Sequence, residues 1–168
     1  MRRCAFPIVL AIAACAPVAR DASPPPAADF VLVDKSDRRL TLYTGGKPTW
    51  SVTGLQYGDA PHGHKQFEGD ERTPEGRYTI DYRNPNSGYH LSLHISYPDS
   101  SDRAFAEAQG RSPGGDIMIH GQPNRLPLAA AGARMPGDWT DGCIAVSNAE
   151  IEALWRAVPD GTPIEIRP

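Results

Sequence analysis

Cys143 and His120 are the two side chains in this sequence best suited to covalent chemistry. A cysteine is an intrinsically strong nucleophile, but its free pKa of about 8.5 leaves little thiolate at neutral pH, so it needs a base within hydrogen-bond reach. Cys143 sits in Trp139-Thr140-Asp141-Gly142-Cys143-Ile144-Ala145-Val146. Glycine before a nucleophile lets the backbone bend and approach closely. The N–H groups of Gly142 and Cys143 can then face an oxyanion as it develops. His120 closes the apolar run Asp116 to Ile119 and is followed by Gly121. A thiol and an imidazole at such positions suit acyl transfer: the base takes the thiol proton, and sulfur attacks a carbonyl.

The sequence holds five histidines, and the others fit the base role less well. His90 and His94 share one face of an alternating run, but four residues of strand separate them by about 13 Å. His94 is the second candidate for a site histidine. His62 and His64 bracket Gly63 in a long polar loop and read as solvated. No histidine or cysteine pair has tight ligand spacing in a helical context, so neither a metal nor any other cofactor is expected.

The positioning elements are mostly strands. Phe30 to Lys35 and Arg39 to Tyr43 flank a turn at Ser36-Asp37, which reads as a hairpin. Thr49 to Thr53, Arg77 to Tyr82 and Pro163 to Ile166 are further strands. Tyr89 to Tyr97 alternates strictly, which predicts one half-buried strand with His90, Ser92, His94 and Ser96 on its polar face. Gly54 to Gly76 reads as a long functional or mobile loop. Short helices are expected over Asp102 to Gln109 and Pro127 to Arg134. Ser147-Asn148-Ala149-Glu150 is a capping box, and Ile151, Leu154, Trp155 and Val158 form one apolar stripe behind it. The expectation is a mainly β single domain with short helices, β-sandwich-like.

The chain has 168 residues and three cysteines. Residues 1–14 pair a short positive start with an apolar run of about ten residues, which describes an export signal and is too short to span a bilayer. Cys15 after Ala13-Ala14 makes the segment resemble a bacterial lipoprotein signal, which implies lipidation of Cys15. Residues 15–28 read as a proline- and alanine-rich tether, and residues 29–168 as the folded domain. Cys4 leaves with the signal, so Cys143 stands alone in that domain. Loss of Arg2 and Arg3 takes the net charge from −3 to −5. A mildly acidic chain without a basic run excludes nucleic acid as a partner. Membrane attachment is expected through the lipid anchor only.

Ile117-Met118-Ile119-His120-Gly121 followed by Thr140-Asp141-Gly142-Cys143-Ile144 resembles the signature of the L,D-transpeptidase (YkuD-type) family. Val33-Asp34-Lys35-Ser36, Leu40-Thr41-Leu42-Tyr43, Gly69 to Gly76, His94 to Pro98, Asp138-Trp139-Thr140 and Gly161 to Ile164 are similar to its YafK-like branch. The resemblance covers nearly the whole chain from Asp29 on. It implies Cys143 as nucleophile and His120 as base, with the Gly121 carbonyl orienting the imidazole. The implied substrate is the peptidoglycan stem peptide, attacked at the carbonyl of its diamino acid. Asp141 stands where many members carry histidine, and Ala145 where many carry arginine. Both departures fit the YafK-like branch, which includes enzymes that release a wall-linked lipoprotein from the same carbonyl. Transpeptidase and amidase therefore both stay open.

His94, Tyr97, Trp139, Thr140, Asp141 and Arg72 are candidates for contact with substrate, each with packing or solvation as the plain alternative. A papain-like peptidase fits poorly, since there the cysteine precedes the histidine. A non-catalytic wall-binding lipoprotein and an interaction protein with a structural cysteine are the remaining readings. Ala16 after Cys15 implies, by resemblance to lipoprotein sorting, a periplasmic protein at the outer membrane.

Overall fold

The computed structural model describes residues 25–125 and 132–168. The leader expected over 1–14, the lipidation site Cys15, most of the tether and most of the helix expected over Pro127 to Arg134 lie outside the described residues. Ala28 is already buried and donates its N–H to Ala157 O at 2.7 Å.

Eight strands and two helices run in the order β1 (Phe30–Asp34), β2 (Arg39–Thr44), β3 (Lys47–Thr53), β4 (Gly76–Asn84), β5 (Ser92–Ile95), α1 (Ser100–Ala108), β6 (Met118–His120), β7 (Ile144–Ala145), α2 (Asn148–Ala157) and β8 (Thr162–Arg167). The strands form one sheet ordered β3-β2-β1-β8-β4-β5-β6-β7. The mainly β, single-domain expectation is met, and the predicted hairpin is the antiparallel β1–β2 pair with Asp34 opposite Arg39. The C-terminal strand β8 inserts between β1, parallel, and β4, antiparallel. Alternation decides what it buries: Thr162, Ile164 and Ile166 point inward, and Pro163 and Arg167 outward.

The core gathers Val31, Val33, Leu40, Leu42, Ile80, Leu93, Ile95, Ile119, Ile144, Ile164 and Ile166 from the sheet, and Ile151 and Leu154 from α2. α2 begins as its sequence predicts. The Ser147 side chain accepts the Glu150 N–H, and the Glu150 carboxylate accepts the Ser147 N–H at 2.8 Å. Both Ile151 and Leu154 are fully buried. Truncating a buried leucine removes transfer energy and leaves a cavity. Leu154→Ala is expected to destabilise the domain by about 3 kcal/mol, read as a lower denaturation midpoint in urea at unchanged slope.

Two expectations are corrected, the long strand over Tyr89 to Tyr97 and the solvated His64. The alternation over Tyr89 to Tyr97 is strand only at Ser92–Ile95. His90 has φ 67 and hydrogen-bonds Glu152 of α2, so the chain turns there instead of extending. The loop from Gly54 to Gly76 is pinned by buried polar groups. Lys35 Nζ reaches Gly63 O, Thr73 O and Glu75 Oε1 at 2.7, 3.3 and 2.7 Å. Lys65, also buried, pairs with Asp70, whose carboxylate accepts the N–H groups of Gln66, Phe67 and Arg72. His64, expected in solvent, takes the Glu75 N–H on Nδ1 and faces Asp102 of α1 through Nε2. Burying a lysine is tolerable only when its donors are taken up, and here those acceptors come from the loop itself.

Candidate active site

β6 and β7 pair in parallel, with Ile119 opposite Ile144 and His120 opposite Ala145. This pairing brings the end of one apolar strand beside the two residues that follow Cys143. The Val146 N–H is donated to His120 O at 2.9 Å, and Gln56 exchanges two backbone bonds with Ala145 on the other side. Cys143 Sγ accepts the Met118 N–H at 3.3 Å and lies 3.6 Å from Asp116 O, to which its S–H points.

His120 is buried, at 3 % exposure. Its Nδ1 lies 2.7 Å from Gly121 O. A carbonyl can only accept, so Nδ1 carries the proton and Nε2 is left with its lone pair. The ring is enclosed by Tyr89, with centroids 4.6 Å apart, and by Trp139 at 5.5 Å and 63°. Burial drives its pKa down to about 4, against the smaller opposing effect of the Gly121 bond. Burial also pushes the Cys143 thiol up, and the charges of Asp141 and Asp116 add to that against the Met118 N–H and Lys65. Both effects favour the uncharged pair. At rest both groups are therefore uncharged, a thiol and a neutral imidazole that line one cavity.

Cys143 and His120 line one cavity of about 250 Å³ with Asn84, Asn86, Ser87, Gly88, Tyr89, Ser92, Asp116 and Met118. A second, larger hollow of about 730 Å³ meets it at Asp116 and is bounded by Lys65, Glu68, Gly69, Ser112, Gly114, Gly115 and Asp141. Asp116 thus borders both hollows, and of the two the smaller is the one that Cys143 lines.

The turn into Cys143 is built by Thr140 and Gly142. Thr140 Oγ1 donates to Cys143 O at 2.8 Å and accepts the Gly142 N–H at 3.3 Å. Gly142 has φ +115, and a Cβ there would lie 2.4 Å from Arg72 O. Because the Gly142 N–H is taken by Thr140, the Cys143 N–H is the one of the pair without an acceptor among the described residues. Gly121 is equally confined, since a Cβ would sit 2.7 Å from Asn148 Oδ1 and 2.9 Å from Tyr89 O.

Of the six contact candidates, Trp139 and Thr140 border the thiol–imidazole pair and Asp141 borders the larger hollow. Arg72 comes in through its carbonyl, while its guanidinium group lies against Gly63 and lines neither hollow. His94 lies on the cavity's sheet face but outside its lining, bonded to Asp81 and stacked on Tyr82. Tyr97 is set apart. It falls on the inward side with Leu93 and Ile95, is 2 % exposed, and donates its hydroxyl to Pro113 O at 2.9 Å.

Several positioning residues gave little signal in the sequence. Gln122, wholly buried, donates to Val146 O and Gln56 Oε1 and accepts the Met135 N–H. Gln56 in turn reaches Met135 O and Gly137 O. Arg38 forms a two-bond fork with Asp138 at 2.7 Å each, and Asp138 also accepts the Tyr57 N–H. These contacts tie the approach to Trp139 and Cys143 to the first hairpin and to the segment after His120.

A tautomer-fixed imidazole and a thiol thus line one cavity near the β6–β7 edge of the sheet. The chain belongs to the L,D-transpeptidase catalytic domain family (YkuD), which it matches over residues 28–166. It is 29% identical over 98 residues to the putative L,D-transpeptidase YafK of Escherichia coli K12, covering 57% of this chain and 32% of that protein. Among solved structures it is similar to the helical cell shape determining protein Pgp2 from Campylobacter jejuni, with TM-score 0.63, 31% identity, and coverage of 82% of this chain and 46% of that one. Bd1075 of Bdellovibrio bacteriovorus gives TM-score 0.54 at 25% identity, covering 85% of this chain and 51% of the other. An L,D-transpeptidase from Mycobacterium smegmatis, 15% identical at TM-score 0.51, shares the fold. The chain spans about a third of the curated relative's length and about half that of Pgp2 and Bd1075.

Proposed function

We propose that this protein is an exported L,D-transpeptidase that acts on stem tetrapeptides of peptidoglycan, with Cys143 as nucleophile and His120 as general base. The observation that carries this is the His120 Nδ1–Gly121 O bond, which leaves Nε2 as a proton acceptor on the cavity that Cys143 also lines. Nε2 takes the thiol proton as sulfur bonds to the carbonyl carbon of the stem diamino acid. The Cys143 N–H receives the oxyanion. The C–N bond to the terminal D-alanine breaks, and His120 returns the proton to the departing amine. An amine of a second stem then attacks the thioester, gives its proton to His120, and restores the thiol.

The alternative reading keeps the acyl-enzyme and changes the amines. A lysine of a wall-linked lipoprotein is then the leaving group and water the resolving nucleophile, with Asp141 and Ala145 in place of the usual histidine and arginine as support. On either reading, residues 1–14 direct export, a lipid on Cys15 holds the protein in the periplasm at the outer membrane, and residues 29–168 do the chemistry.

Mass spectrometry of the purified protein with disaccharide tetrapeptide and with a lipoprotein-linked stem tests this, each beside Cys143→Ala. Loss of D-alanine with a cross-linked dimer supports the transpeptidase. Release of the lysine end without cross-links supports the amidase. If neither substrate changes, the catalytic reading falls and a wall-binding role replaces it.

A further inference from the structure

The sheet face that forms the floor of the catalytic cavity does not stop at the cavity's rim. Asn84 of β4 is opposite Ser92 of β5, and Ser92 is opposite His120 of β6. The next rung on the same face is Tyr82, His94 and Met118. Asn84, Ser92, Met118 and His120 all line the cavity. The Tyr82–His94 pair therefore continues its floor outward along β4 and β5.

Tyr82 is 41% exposed, an uncommon position for an aromatic ring with no part in the core. It is also held in place. Its ring lies nearly parallel to the His94 imidazole, 17° apart with centroids 4.4 Å from each other, and His94 is fixed in turn through Nδ1 by Asp81. His94 thus covers one face of the Tyr82 ring and leaves the other face free among the described residues, one rung from the Asn84 and Ser92 of the cavity lining. The ring's polar neighbours from the β4–β5 turn are uncharged: Asn84, Asn86 and Ser87 line the adjoining wall. Asn84 Oδ1 accepts the Asn86 N–H at 2.9 Å, which leaves the Asn84 amide donors without an acceptor among the described residues. A rigid apolar ring face bordered by neutral amides and a hydroxyl suits a pyranose. Such a sugar has a C–H face to stack and hydroxyl or N-acetyl groups to hydrogen-bond at its edge. Residues 84–88 carry no charge, and the two carboxylates acting on Tyr82 are Asp81, engaged by His94, and Asp116 on the cavity lining, so an anionic ligand finds no partner here while a neutral sugar is accommodated.

We propose that Tyr82, with Asn84 and Asn86, forms a saccharide subsite that holds the glycan end of the substrate while the stem peptide reaches Cys143. This rests on the peptidoglycan reading above. Distances agree with it. Tyr82 is one rung along and two strands across from His120, on the order of 12 Å. The attacked carbonyl is three residues from the sugar, about 10 Å of extended chain.

The test compares kcat/KM of the full chain, Tyr82→Ala and Tyr82→Phe on disaccharide tetrapeptide and on free tetrapeptide. The parent is expected to favour the disaccharide substrate about fivefold to tenfold through KM, the range of one aromatic stacking contact. Tyr82→Ala should erase that preference and leave free-tetrapeptide kinetics within about twofold, and Tyr82→Phe should restore it. Equal losses on both substrates, or no preference in the parent, overturn the subsite. Titration of the peptide-free disaccharide, followed by NMR, reads the subsite without turnover. Saturable binding that weakens at least about fivefold in Tyr82→Ala supports it even if neither peptide is turned over, in which case only the assigned reaction fails. Absent or equal binding overturns it.

Discussion

Cys143→Ala is expected to abolish turnover, by a factor of at least about a thousand in kcat/KM, while the domain stays folded. The substitution removes one sulfur atom from a half-buried position whose contacts are the Met118 N–H and the Asp116 carbonyl. Neither contact carries the fold, so the melting temperature should move by no more than a few degrees. On the proposed thioester route the sulfur is the bonding atom, so its removal leaves the acyl group without an acceptor. Intact-mass measurement with substrate supplies the second readout. The parent should show a mass gain equal to the acyl group, and the alanine variant none. Retained turnover in the variant would refute the thioester route.

The pH dependence of the parent follows from the same pair. Burial brings His120 down to about 4 from an ordinary value of 6.5. The imidazole acts as base only when neutral, and it stays neutral until the pH approaches 4. The acid limb of kcat/KM should therefore lie near pH 4, with no fall through 6.5. Stability moves with it. Between pH 6.5 and about 4 the unfolded chain binds a proton at this histidine that the folded chain refuses, so stability falls as pH falls across that window, by about 3 kcal/mol in all. The raised thiol makes a matching point: alkylation by iodoacetamide at pH 7 should be slower than for an exposed cysteine. An acid limb at 6.5 would mean that the free protein opens His120 to water.

How much of this could be read in advance depended on whether the determining partner was close in sequence. The capping box at Ser147 and Glu150 is spelled out within four residues, and α2 begins there. The β1–β2 hairpin is written in two short runs around a turn. His120 and Cys143 each stand out in the sequence by an adjacent glycine. Tyr89 was misread because its alternation with Leu91 and Leu93 is real, yet His90 turns left-handed between them and swings Tyr89 over the imidazole. Asp99, which caps α1 through the Ser101 and Asp102 N–H groups, offered an Asp-x-x-Asp signal that the expected start at Asp102 passed over. The order of the Gly54 to Gly76 loop was out of reach. It depends on Lys35 finding three oxygens 28 to 40 residues away, and on His64 meeting Asp102. The two residues of β7 are too short to announce a strand, and their pairing is dictated by β6.

The second large effect is expected at Gly142, where backbone geometry rather than chemistry sets the demand. Gly142→Ala should destabilise the domain by about 3 kcal/mol, lower the melting temperature by about 10 °C and cut kcat/KM about a hundredfold. Two costs combine. A φ of +115 lies outside the small left-handed well that an L-residue can enter, and the new methyl group would stand 2.4 Å from Arg72 O. That oxygen cannot retreat easily. The Arg72 N–H is held by Asp70, which Lys65 and two further backbone N–H groups hold in turn. The strain must then be relieved on the other side, by moving the turn that Thr140 closes onto Cys143. A shift of about 1 Å there misplaces the sulfur relative to His120, which is why activity should fall further than stability alone explains. Gly137→Ala is the control. Its φ of +69 is also left-handed, but a Cβ there meets nothing within 4 Å, so only the backbone cost of about 1 kcal/mol applies. If the two variants lose equal stability, the contact with Arg72 does not hold the turn. If Gly142→Ala loses stability but keeps its kcat/KM, the turn can move without carrying the thiol away from its base.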